Sequence, residues 1–237
     1  MKKFCKILIL SFFAMNLGLK ANAVQNYINV PTSEVLKKDV VFIKEATLVS
    51  PGKGRSVTTT PSVNVGLGWG MEASFGVPVS IKFEDGKTTE KISIDAKKVF
   101  YIGSDTNRLT IGGAVAPSIN MPVCPDMYIY SHATKVFPKT RTSFSVGGYM
   151  TGENHFVNSG GAILALDQGI IGNKVKGQVE WTSGYNNKSH FGVGLKYKPK
   201  DDFSIAAAMI IPMKETDNIK FQLTFSKFFY PKTEEKL

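Results

Sequence analysis

Met71-Glu72-Ala73-Ser74-Phe75-Gly76-Val77-Pro78-Val79-Ser80-Ile81-Lys82-Phe83 alternates without a break. Met71, Ala73, Phe75, Val77, Val79, Ile81 and Phe83 are apolar, and the residues between them are small, polar or proline. A helix would mix the two sets on one face, whereas a strand sends successive side chains to opposite faces. The stretch therefore predicts one strand of about 13 residues with one greasy and one hydrophilic face.

The same period recurs along the chain. Ile219, Phe221, Leu223 and Phe225 oppose Lys220, Gln222, Thr224 and Ser226; Phe191, Val193, Leu195 and Tyr197 oppose His190, Gly192, Gly194 and Lys196. Val175, Val179 and Trp181 oppose Lys174, Lys176, Gln178 and Glu180 in the same way. Weaker alternation covers 57–67, 91–101, 108–119, 127–137, 142–150 and 203–213, and two fainter stretches, 40–49 and 161–167, bring the set to about twelve. Lys97-Lys98-Val99 breaks the pattern and is read as a bulge. Short clusters such as Pro51-Gly52-Lys53-Gly54, Glu84-Asp85-Gly86-Lys87 and Pro199-Lys200-Asp201-Asp202 separate the segments. Connections this brief join antiparallel neighbours, so the chain should run up and down.

The 237 residues include 22 Gly and 16 Phe and are 43% hydrophobic, which favours an all-β domain over a helical bundle. Soluble sandwich strands average ~5–6 residues, whereas a tilted strand crossing a bilayer needs ~9–11. The segments match the longer class, and their hydrophilic faces are rich in Gly, Ser and Thr, as the crowded inside of a closed barrel is. The longest apolar run after residue 23, from Ile205 to Ile211, is bounded by Asp202 and Lys214 and is too short for a spanning helix. A membrane reading therefore requires a barrel. Aromatic residues near segment ends, among them Trp69, Phe100, Tyr128, Tyr130, Phe137, Tyr149, Tyr197 and Phe229, are expected at the headgroup levels.

The first residues read as a targeting segment. Lys2, Lys3 and Lys6 precede an apolar run from Ile7 to Leu19, and Ala21-Asn22-Ala23 supplies the small residues a signal peptidase reads. The expected organisation is a signal peptide over 1–23, a linker or cap over 24–38, a barrel over 39–229 and a tail over 230–237. Cleavage removes Lys2, Lys3, Lys6 and Lys20 from the 29 basic residues and no acid, leaving 25 against 19 and a mature charge of +6. That excess forms no basic stripe with interleaved aromatics, so nucleic acid is not an expected partner. Cys124 is the one thiol of the mature chain, so no internal disulfide can form.

The signal peptide, the hairpin from Pro61 through Gly68-Trp69-Gly70 to Val77 and the closing strand Ile219–Phe229 together make the chain resemble the bacterial outer-membrane β-barrel class. The resemblance implies an antiparallel up-and-down transmembrane β-barrel of about twelve strands, porin-like, in contact with membrane lipid. It also implies recognition by the outer-membrane assembly machinery through terminal aromatics, to which Phe221, Phe225 and Phe229 are similar. Tyr230–Leu237 depart from that pattern, because most members of the class stop on the aromatic.

No catalytic, metal or cofactor signature emerges. His132, His155 and His190 lack metal-ligand spacing, and Gly66-Leu67-Gly68-Trp69-Gly70 precedes a strand instead of the helix a dinucleotide site needs. If the large apolar residues face lipid, the opposite wall carries Glu72, Lys82, Lys91, Asp95, Lys97, Arg108, Lys174, Lys176, Glu180, Lys196 and Lys220. Eight of these eleven are basic, so they predict a passive pore that favours small polar or anionic solutes. Three alternatives follow from the same residues. Cross-lumen pairing would give a non-conducting structural or adhesive barrel, and bulky residues buried between two layers would give a secreted soluble β-sandwich. A lipid hydrolase would need His132 and Thr134 on the outward face.

Overall fold

The computed structural model describes residues 26–52, 54–119, 125–153, 157–184, 186, 188–213 and 218–231. The expected signal peptide, Cys124, His155 and residues 232–237 lie outside them. Fourteen strand segments follow in chain order: β1 (Val41–Ser50), β2 (Ser56–Gly68), β3 (Met71–Gly76), β4 (Val79–Lys82), β5 (Thr88–Glu90), β6 (Ser93–Ile102), β7 (Ser104–Ala116), β8 (Asp126–Phe137), β9 (Thr142–Glu153), β10 (Val157–Ile171), β11 (Val175–Thr182), β12 (His190–Lys200), β13 (Phe203–Pro212) and β14 (Lys220–Phe229).

Two pairs of segments are single staves. Ser62 faces Gly76 and Thr59 faces Val79 at one unchanged offset, and Gly76–Ser93 and Val79–Glu90 likewise share an offset. The ladder is interrupted only around Pro78, which has no N–H to give. The Val77 N–H to the Pro61 carbonyl (3.0 Å) and the Lys91 N–H to the Pro78 carbonyl (2.9 Å) bridge the interruption. The strand predicted from Met71 thus exists and ends at Lys82. Counted as staves, the sheet has twelve, all antiparallel, and β1 pairs with both β2 and β14, which closes the ring. This is one closed sheet, not the two layers of a sandwich.

Register decides the faces. Phe191, Val193, Leu195 and Tyr197 point outward, as do Phe221, Leu223, Phe225 and Phe229, while His190, Lys196 and Gln222 point inward. The outward set forms an apolar girdle, as a lipid-facing wall requires. A Lys replacing Leu195, which is 57% exposed in mid-β12, should lower unfolding stability in vesicles by about 2–4 kcal/mol, measured by denaturant titration. No bulge exists at Lys97-Lys98-Val99: register runs through it unchanged, with Lys97 and Val99 inward. The pattern looked broken because Lys98 is an outward lysine. It sits near the end of the stave over the Phe100 ring, with its ammonium on the Trp69 carbonyl, the posture of a side chain reaching for the interface.

One outward position runs against the girdle. Glu45 interrupts the row Val41, Ile43, Thr47 and Val49 on β1, and Thr59 of β2 donates its hydroxyl to the Glu45 carboxylate.

Turns at one rim are very short, with residues 69–70, 103 and 201–202 linking strands there, and both ends of the strand ladder, Val41 and Phe229, lie at that rim. Gly68, Trp69 and Gly70 all take left-handed backbone (φ 84, 49 and 73°), which makes the 69–70 reversal as tight as it is. The opposite rim carries longer connections, including 117–125 and 183–189. Short turns on the side of the termini mark the periplasmic rim and longer loops the outer one.

The interior is not an open channel. Asn26–Lys38, expected as a linker or cap, lies inside the ring, and both apolar clusters form around it. Tyr27 and Val30 pack with Tyr130, Tyr149, Ile163 and Ala165; Leu36 packs with Val40, Phe42 and Phe228. Phe42 and Phe228 meet in a tilted ring contact, with centres 4.5 Å apart and planes at 38°.

Candidate functional site

The lumen and its occupant form the candidate site. The segment folds back at residues 27–30, where the Tyr27 N–H reaches the Val30 carbonyl (2.9 Å). Beside this turn the fully buried Glu180 of β11 accepts the N–H groups of Ile28 (3.0 Å), Asn29 (2.9 Å) and Val30 (2.9 Å). His190 of β12 holds the same carboxylate through Nε2 at 2.6 Å. A carboxylate with several donors is well compensated for its loss of water, so Glu180 acts as a latch on the segment.

Further down, Ser33 shares hydrogen bonds with Thr110 and Thr134, each at 2.6 Å. Thr134 continues to Ser145 (2.6 Å), which meets the Tyr27 hydroxyl at 2.8 Å. Lys97 donates to the carbonyls of Thr32 (3.2 Å) and Glu34 (2.7 Å) and lies 3.8 Å from Glu72, whose other oxygen accepts the Leu36 N–H at 3.1 Å. Lys97→Met would strip both carbonyls and leave Glu72 without this buried countercharge, at a cost of about 3–5 kcal/mol. Unfolding midpoints should show that loss, and a combined Lys97→Met/Glu72→Gln variant should recover part of it.

Larger cavities flank the segment at either end. The outer one, about 420 Å³, is lined by Lys44, Asp95, Asp126, Tyr128, Lys188 and Lys220 among others. The periplasmic one, about 190 Å³, meets Glu34, Arg108, Arg141, Asp167 and Lys176.

The residues expected on the inner wall do not share one environment. Glu72, Lys97 and Arg108, on the neighbouring strands β3, β6 and β7, and Glu180, across the barrel on β11, contact the segment; Asp95 and Lys220 line the outer cavity; Lys176 lines the periplasmic one. Lys196 is inward and buried against a pocket shared with Tyr27, Ile28 and Gln178. Lys91 is paired with Asp126 near the outer rim, whereas Lys82 and Lys174 are exposed at strand ends and the lumen does not enclose them. Much of the basic excess is neutralised locally, because Lys176 meets Asp167 at 3.0 Å in addition to the Lys91 and Lys97 pairs.

His132 and Thr134 are corrected in face. Both point inward and are sealed, with Nδ1 of His132 3.2 Å from the Thr134 hydroxyl, so they do not form the outward pair a lipid hydrolase would need. Tyr128, Tyr130 and Tyr149 also turn inward, where they pack around the segment instead of marking a headgroup level. The apolar inner face of Ile163 and Ala165 was the one sequence signal that something lies against the wall.

The fold has solved counterparts. The KdgM porin in complex with disordered oligogalacturonate superposes with a TM-score of 0.56 at 9% identity, covering 81% of this chain and 99% of that one. An outer-membrane channel from Pseudomonas putida F1 gives 0.53 at 9% identity over 88% and 100% of the two chains. The fold is that of a bacterial outer-membrane β-barrel. The translocator domain of the autotransporter NalP from Neisseria meningitidis superposes with a TM-score of 0.53 at 10% identity, covering 96% of each chain. At such identities the likeness is one of fold. No family model and no curated protein matches the sequence. The barrel's apolar girdle and its paired rims of short turns and longer loops agree with an outer-membrane location.

Proposed function

We propose that this outer-membrane barrel is a channel for small polar or anionic solutes, closed in the conformation described by its own N-terminal segment. The observation that carries the reading is the hydrophilic inner wall, with cavities on both sides of a segment that is latched to it by side chains. A lumen built only for rigidity would gain more from apolar packing than from buried ion pairs. Local pairing of Lys91, Lys97 and Lys176 leaves only a weak preference for anions.

Planar-bilayer recording tests this. The full-length protein should show rare or small openings, and protein lacking residues 24–38 should show discrete steps whose reversal potential in a KCl gradient leans toward chloride. A non-conducting barrel is the second reading, favoured by the same filled lumen. Silence of the shortened protein, folded and inserted, would select it.

A further inference from the structure

The charged side chains of the wall address the main chain of the resident segment. Glu180 takes three successive N–H groups, and Glu72 takes that of Leu36. Lys97 gives to the carbonyls of Thr32 and Glu34, and Arg108 Nη1 gives to the carbonyl between them, that of Ser33, at 3.2 Å. Gln222 reaches the Ile28 carbonyl at 3.5 Å. Every non-proline residue of any polypeptide offers the same N–H and C=O groups, so none of these bonds requires the sequence found here. The side-chain bonds of Tyr27 and Ser33 go to small wall hydroxyls that water could equally serve.

The spacing is specific even though the sequence is not. Below the bend at 27–30, where three N–H groups converge on Glu180, the contacts alternate as an extended chain's do: the carbonyls of Thr32 and Glu34 turn to Lys97 and that of Ser33 to Arg108 on the next strand. An oligosaccharide or a simple ion presents no such row of alternating N–H and C=O groups. We propose that the lumen is a binding track for extended polypeptide, with short unstructured peptides as its ligand class and the N-terminal segment as the resident competitor. This rests on the channel reading and names the solute class for it. Entry is available from the outer side, because Asn29, at the tip of the folded-back segment, is exposed and borders the outer cavity. A peptide can thus occupy the cavity and take over wall contacts successively as the segment withdraws.

The resident segment is tethered, which gives it an effective concentration of the order of millimolar, so a free peptide must be supplied at several millimolar to compete. The test uses the full-length mature protein in phosphatidylcholine vesicles, with Cys124→Ser and Ser33→Cys. Ser33 is 2% exposed, so its replacement thiol reports departure of the segment by its rate of reaction with a water-soluble maleimide. The probe is a neutral dodecapeptide of Gly, Ser, Asn and Gln, unrelated in sequence to residues 26–38. It should accelerate labelling about tenfold, as a shift of ~1.4 kcal/mol in the docking equilibrium does, while a maltooligosaccharide of equal mass leaves the rate unchanged. Equal acceleration by both, or none by the peptide, would overturn the proposal. Should the Ser33→Cys protein fail to fold, Thr32→Cys gives the same readout from a neighbouring buried position. Failure here with conducting shortened protein leaves the channel standing; silent shortened protein with peptide-dependent labelling removes the channel and keeps the track.

Discussion

Glu180→Ala is expected to empty the lumen of its N-terminal segment. The carboxylate satisfies the N–H groups of Ile28, Asn29 and Val30 in a place where it is itself fully buried. Alanine leaves those donors without their acceptor, and a buried unsatisfied donor costs about 1–3 kcal/mol. Water supplies acceptors at no such cost, so withdrawal becomes the cheaper state. A net change of about 3 kcal/mol moves the docking equilibrium more than ~100-fold. In planar bilayers the variant should therefore open frequently where the unaltered protein stays closed, and residues 26–38 should become sensitive to protease added on the periplasmic side. Unchanged conductance together with unchanged protection would show that the hydroxyl contacts of Ser33 and Tyr27 suffice to hold the segment.

Gly66→Val should reach the same end from the other end of the segment. A Cβ at Gly66 would stand 1.9 Å from the carbonyl oxygen of Lys37 and 2.8 Å from that of Leu36, both main-chain atoms with no flexible end to swing aside. β2 is held between β1 and β3, with Val65 opposite Val41 and Gly66 opposite Glu72, and Gly66 itself bonds Asp39 and Val40 through its carbonyl and N–H at 3.0 Å. The overlap is relieved only if Leu36–Lys37 move inward and upward, away from the wall. Overpacking of this kind costs about 1–3 kcal/mol. The expected result is a barrel that still migrates as a compact, heat-modifiable band on a gel but conducts like Glu180→Ala. Two lesions at distant points of the wall, one deleting a bond and one adding bulk, would thereby report the same event.

The strands were legible because alternation records which side of a wall each residue faces, and that is a local property. Met71–Lys82 and the β12 and β14 rows needed no tertiary knowledge. The occupant of the lumen was not legible, and the reason is physical: the charged side chains of the wall hold residues 26–38 through amide groups, which leave no trace in side-chain periodicity. The faintness of the 161–167 stretch has the same origin. Ile163 and Ala165 face inward and Leu164 and Leu166 outward, so both faces are apolar, the inner one because Tyr27 and Val30 cover it. The lipid-hydrolase alternative set His132 outward; its pairing to Thr110 and Gly147 and its burial place it inside. Lys82 and Lys174 had the parity of wall residues, but parity does not show that a strand position lies beyond the rim.

Glu45 and its Thr59 partner have a consequence for how the wall tolerates lipid. Both stand at outward positions of the register, yet they are 7% and 3% exposed, so the carboxylate is held within the wall and away from water. A carboxylate out of water is costly unless it is bonded, and the Thr59 hydroxyl helps to keep the β1–β2 seam compatible with acyl chains. Thr59→Val should loosen that seam, which faster amide hydrogen exchange along β1 and β2 in vesicles would register.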